Sequence, residues 1–392
     1  MSIFSRTLLG IAMLLPALCV AGPNPLWMRY PAISPDGQFV VFSYQGDLYK
    51  VAASGGQAFP LTLHEGHDFM PVWSRDGKQL AFASDRYGNF DIFTMPATGG
   101  EAMRLTFHSS TDLPSDFTPD GKHVIFSSAR TDAATNAMFP NPIMTELYKV
   151  PVTGGRSLMV LTTPAELARY NRAGTKLVYH DNKGYEDPWR KHHTSSITRD
   201  VWLYDAATGK HTQLTTFAGE DRNPVLAPGE KELYFLSEGS GSFNVHRLSL
   251  DNPAQSSQVT KFARHPVRFL TMAENGTLCY GYDGEIYTQA PGGEPRKLDV
   301  QVFNDNRNIL EKVVPISGGA TEMSLSPNGK EIAFLFRGEV FVTSTDLPSD
   351  FTPDGKHIIF SSARTDAATN AMFPNPIMTE LYKVPVTGGR SL

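Results

Sequence analysis

The chain has 392 residues, with 35 Lys and Arg against 40 Asp and Glu, and a net charge of −5. The basic residues form no long run, which excludes a nucleic-acid partner of the usual electrostatic kind. An apolar fraction of 41% is ample for a buried core.

The first 21 residues read as a secretory signal. Arg6 supplies the positive start, Leu8–Leu18 the apolar middle, and Cys19-Val20-Ala21 a small-residue cleavage site before Gly22. The apolar stretch is too short for a stable membrane anchor. Leu18 before Cys19 is bulkier than a lipoprotein signal requires. Cleavage leaves Cys279 as the sole cysteine, so no internal disulfide forms. Cys279 lies in the apolar run LCYGY and reads as a buried, inert thiol. An exported chain without disulfides is expected in the periplasm.

A repeated phrase then runs along the chain. It reads SPDGQFVVFS at Ser34–Ser43, SRDGKQLAFAS at Ser74–Ser84, TPDGKHVIFSS at Thr118–Ser128 and SPNGKEIAFLF at Ser326–Phe336. Worn versions start at Arg172, Pro228 and Glu274. Pro presets the first corner of a turn, Asp bonds its own backbone, and Gly accepts positive φ. The Asp of each phrase is therefore read as a turn former and not a catalyst. The run after each turn has apolar residues at the period of a strand. Gly-Gly pairs at Gly55–Gly56, Gly99–Gly100 and Gly154–Gly155 suit a following hairpin. Each unit offers about four strands, the content of one propeller blade. The units fall at about 29–63, 64–108, 109–163, 164–217, 218–263 and 264–304. The stretch 305–315 reads as a linker, and 316–343 as the first strands of a further unit.

Two inserts interrupt the units, at Arg130–Thr145 in the third and Asp181–Arg199 in the fourth. Long loops on a rigid scaffold commonly carry function. The second insert holds Trp189, Arg190, Lys191, His192 and His193, and Trp189, Arg190, His192 and His193 are the candidate peptide or partner surface. The alternative is a loop packed over its own blade.

The tail is a copy. Residues 344–392 repeat 110–158 with one difference, Val124 against Ile358. The copied turn at Asp354 follows Asn328 too closely for a whole blade, so the join cuts through one and leaves an edge exposed. The copy is read as aberrant.

No Gly-x-Ser-x-Gly elbow or His-Glu-x-x-His motif occurs. His64 and His67 share a loop, three residues apart, without the setting a metal needs. Asp187, His192 or His193, and Ser195 or Ser196 are the residue types of a triad but crowd one loop, whereas a triad needs separate rigid supports. No phosphate-cradling Gly loop appears. The expectation is no catalytic residue, no metal and no cofactor in this chain.

The stretches NPLWMRYPAISPDG, FMPVWSRDGKQLAFASDRYGNFDIF, GYEDPWRKHHTSSITRDVWLYD and HPVRFL…CYGYDGEIYT resemble the N-terminal region of tricorn-type serine peptidases, in particular exported bacterial homologues. The resemblance covers residues 24–343. It implies an all-β fold: a six-bladed β-propeller of the TolB-like or tricorn N-terminal type over 22–304, the start of a second propeller, and a duplicated half-blade tail. In that family a protease module lies beyond the propellers, and the propellers are channels that filter unfolded peptides. The resemblance therefore implies a non-catalytic propeller that channels or docks peptides or unfolded polypeptide for protease domains absent from this sequence. Its departure from the family is the copied tail. The alternatives are a stand-alone periplasmic TolB-like propeller for protein–protein contact, and the propeller half of a prolyl-oligopeptidase-type enzyme.

Overall fold

The computed structural model describes residues 25–130, 144–184, 194–302, 320–336, 339–344, 357–362 and 380–385. The stretch read as a signal, most of the first insert, residues 185–193 of the second and the stretch 305–315 lie outside them. The chain divides into two units, 1–304 and 305–392.

The described part of the first unit is built from β-strands. They form sheets spanning 29–60, 68–104, 112–161, 165–213, 221–258 and 267–297, each with four antiparallel strands in chain order. Their turns follow from sequence. In the first, Ser34 Oγ donates to Asp36, and Asp36 accepts from the Gln38 backbone N–H at 3.0 Å. The same bonds recur at Ser74–Asp76–Lys78, Thr118–Asp120–Lys122 and, in the second unit, Ser326–Asn328–Lys330. The turn acids are held by these local bonds, as the turn chemistry demands.

In the first unit the strand after the turn is largely buried on both faces, which is stronger than a simple alternation of apolar and polar residues. Leu80, Ala81, Phe82 and Ala83 are all fully buried. The reason is sheet-on-sheet packing. Val40 and Phe42 of the first sheet pack with Cys279 and Ile286 of the sixth, while Val41 turns the other way, onto Leu80 and Phe82 of the second. Val124 and Phe126 of the third sheet face the second, and Ile125 faces Leu177 and Tyr179 of the fourth. The fourth meets the fifth through Val178 and Phe235, and the fifth meets the sixth through Val245 and Tyr280. Six sheets thus share six cores and the last returns to the first, the arrangement of a β-propeller. Cys279 is fully buried in the closing core, and burial raises its thiol pKa.

Backbone contacts help to close the ring. The Met28 N–H donates to Gly284 O at 3.0 Å. Strand Val300–Val302 runs parallel to Gly56–Pro60 on the outer edge of the first sheet. The Gly56 N–H donates to Asp299 O at 2.7 Å. Gly55 sits beside this bond at φ +95°, where a Cβ would lie 2.7 Å from Asp299 O. Gly55→Ala is therefore expected to cost about 1–3 kcal/mol of stability, from strain and displaced closure. A denaturant midpoint matching the unaltered chain would contradict this.

The second unit holds a three-stranded sheet, Ala320–Leu325, Glu331–Phe336 and Glu339–Ser344. Among the described residues no fourth strand joins it. Met323, Leu325, Val340 and Val342 are exposed on it. The pair His357–Ser362 and Glu380–Pro385 keeps the register of His123–Ser128 with Glu146–Pro151, as their near-identical sequences require.

Candidate functional site: the axial cavity

The first strand of each sheet lies nearest the axis. These strands touch one another in succession, and the sixth touches the first. Each carries a bulge at one level, where two residues oppose one on the neighbouring strand. The first residue of the bulge has positive φ in five strands: Tyr30 (50°), Met70 (54°), Leu167 (47°), Asn223 (55°) and Phe269 (60°). The sixth member of the ring is Pro114, whose own ring locks φ near −65°. Bulges of this kind re-aim side chains, and backbone strain gathers where function requires it. Here Tyr30 packs on Phe69 and Phe269, with ring centroids 5.3 and 4.3 Å away. Burial pushes its phenol up to about 12, despite the guanidinium groups of Arg29, Arg222 and Arg268.

A cavity of about 170 Å³ opens on the turn side of these bulges, lined by all six first strands. One register level contributes Ala32, Val72, Asp116, Arg169, Val225 and Thr271. Asp116 and Arg169 are the charged pair of this level, 3.8 Å apart. Burial raises the Asp116 carboxyl pKa, against the opposing effect of Arg169 and Arg75. Burial lowers that of Arg169.

The mouth on the turn side is laced by side chains from different sheets. Arg75, from the second sheet, donates through Nη2 to Tyr170 O of the fourth at 2.6 Å. Arg172 donates from its backbone to Glu230 of the fifth sheet, and from Nη2 to Glu274 Oε2 of the sixth at 2.8 Å. The Arg172–Glu274 pair is half-exposed, so it adds little stability and opens readily.

On the opposite side both inserts arise beside Glu166. Thr145, at the end of the first, donates to Glu166 Oε1 at 2.8 Å; Asn182, at the start of the second, donates to the same oxygen at 3.0 Å. Arg199, at the far end of the second insert, lies 3.4 Å from Oε2. His180 accepts the Asn223 N–H at Nδ1, so neutral His180 carries its proton on Nε2, 3.3 Å from Glu166. Burial works to raise the Glu166 pKa, but the His180 hydrogen bond and Arg199 outweigh it and hold the carboxyl at about 2.

The sequence candidates Trp189, Arg190, His192 and His193 lie outside the described residues. Asp116, Arg169, Arg75 and the bulged ring escaped the reading of the sequence. The available signal was a Pro three residues before the turn Ser, as in RYPAIS and FMPVWS, which marks the bulge. Among the described residues no group of His, Cys, Asp or Glu could hold a metal ion, and no helix is long and apolar enough to cross a membrane.

The family profile described as the tricorn protease N-terminal beta propeller domain matches residues 25–294. An uncharacterized protein of Agrobacterium fabrum is 31% identical over 199 residues, covering 48% of this chain and 61% of that protein. The crystal structure of the tricorn protease aligns with a TM-score of 0.62 at 19% identity, over 94% of this chain and 35% of its own. TolB from Acinetobacter baumannii aligns with a TM-score of 0.44 at 19% identity, over 59% of this chain and 53% of its own. The chain spans about three fifths of the Agrobacterium relative and about a third of the tricorn protease chain.

Proposed function

Because this chain belongs to the tricorn protease N-terminal β-propeller family, we propose that its propeller docks or channels extended polypeptide along its axis for a protease module, and that the protein works after export. The observation that carries the reading is the axial cavity, reached by all six innermost strands. At about 170 Å³ it is far too small to take a folded domain. Its walls mix apolar groups with a few polar ones, the composition of a ligand site. The lacing at the turn-side mouth, with one half-exposed ion pair, supports a closure that can open.

The test is direct binding to the full chain. Unfolded peptides are expected to bind and a folded domain of the same sequence is not, with no peptide hydrolysis by this chain alone. Leu226→Trp and Met272→Trp, which place bulk at the cavity wall, are expected to weaken binding about tenfold or more, as overfilling a packed site does. Peptide affinity unchanged by both substitutions would place docking elsewhere.

A further inference from the structure

Arg169 is unusual among the charged groups of the axis. Its side chain is 24% exposed, so three quarters of it is buried. Its ion pair is with Asp116 Oδ1 at 3.8 Å, beyond hydrogen-bond range. Among the described residues its guanidinium has no hydrogen-bond partner. A guanidinium offers five donors in a planar fork, and those of Arg169, which lines the cavity, are left without a protein acceptor.

Asp116 is already occupied. Its Oδ2 accepts the Tyr170 N–H at 3.1 Å and its Oδ1 accepts the Phe117 N–H at 2.9 Å. Arg75 adds a second cation from the second sheet, lying near both Asp116 and Arg169. Two guanidinium groups therefore share one carboxylate whose oxygens are turned to the backbone. The rim carboxylates do not relieve this, because Glu274 pairs with Arg172, and Glu230 accepts from Arg172 and Asn171.

We propose that the axial cavity is a carboxylate-binding site, with Arg169 as its fork and Arg75 as its supporting cation. A carboxylate matches the planar donors of Arg in two parallel bonds. The cavity, about 170 Å³, exceeds by several-fold the ~30 Å³ share of one water. It has room for a carboxylate and the apolar group that bears it. Ile33, Leu226 and Met272 supply the apolar wall. The carboxylate is either the free end of a peptide or an acidic side chain. This deepens the peptide-docking reading, and the test separates the two.

Calorimetry with the full chain first uses 4-methylpentanoate against its uncharged amide. The acid is expected to bind and the amide is not. Arg169→Met is expected to lower the affinity about tenfold or more, the worth of a charged hydrogen bond. Asp116→Asn is expected to raise it, because it removes the competing negative charge. A misfolded variant cannot give that second result. Peptides then identify the source. Preference for a free over an amidated C-terminus names the chain end; equal binding of an amidated peptide with Asp or Glu names the side chain. Equal binding of uncharged peptides would overturn the carboxylate site and leave docking intact. Binding of 4-methylpentanoate through Arg169, with no binding of any peptide, would support the site and overturn docking. Failure of Arg169→Met to change the affinity for 4-methylpentanoate would overturn the site.

Discussion

Arg86→Met is expected to remove about 3–5 kcal/mol of stability, the cost of leaving a buried charge without its partner. Asp68 is fully buried at the start of the second sheet, and its Oδ2 accepts from Arg86 Nη2 at 2.7 Å. The guanidinium also lies 5.2 Å from the ring centroid of Phe93 and 5.7 Å from that of Phe82, so the substitution loses packing as well as charge. The Asp68 backbone N–H donates to Gly46 O of the first sheet, so loosening this carboxylate disturbs a junction between sheets. The double substitution Asp68→Asn with Arg86→Met is expected to recover part of the loss, because no buried charge then remains. Urea unfolding read by tryptophan fluorescence measures both. A loss below about 1 kcal/mol for Arg86→Met, the range of an exposed pair, would show that the carboxylate is not held as the structure has it. Arg130 and Asp112 repeat the arrangement in the third sheet, again with a fully buried carboxylate.

Asp221→Asn is expected to act in the opposite direction. Asp221 is 2% exposed at the start of the fifth sheet. Burial pushes its carboxyl up to about 7, Asp200 and Glu238 add to the rise, and hydrogen bonds with Ser237 and Thr215 offset only part of it. An unfolded Asp titrates near pH 4. Between those values the folded chain holds a proton that the unfolded chain has lost, so stability falls as pH rises. The contribution is full below about pH 4 and gone above about pH 7. Its size is on the order of 2–4 kcal/mol. Asn keeps the shape without the charge, so the variant is expected to lose this decline and to be the more stable protein at pH 8. Parallel stability curves for the two proteins from pH 4 to 8 would refute the assignment.

Much of the fold could be read from local chemistry. The Ser–Asp–Lys bonds of the turns join residues within five positions of one another. Such bonds form wherever the phrase occurs, so the phrase marks its turn without knowledge of the rest. The apolar runs identify strands for the same reason. The continuous burial of Leu80 to Ala83 was less legible. Period two predicts one buried face, and only the neighbours on both sides explain two.

The candidate site was hardly legible. Its sequence candidates came from an insert whose central residues lie outside the described part of the chain. The residues that the fold gathers are ordinary in sequence. Arg169 is one Arg in a worn repeat, and Arg75 stands where other turns have Pro. Nothing local sets Arg169 apart from Arg172, which lies one turn away and reaches the rim.

The sequence alone determined the repeating unit, its turns and its strands, because these depend on contacts between near neighbours along the chain. The tertiary structure alone decided that five non-glycine residues take positive φ around one axis, and that Asp116 and Arg169 meet inside it. The reason is geometric. Side chains from different repeats acquire a common environment only when the ring closes, and ring closure is a property of all six interfaces together.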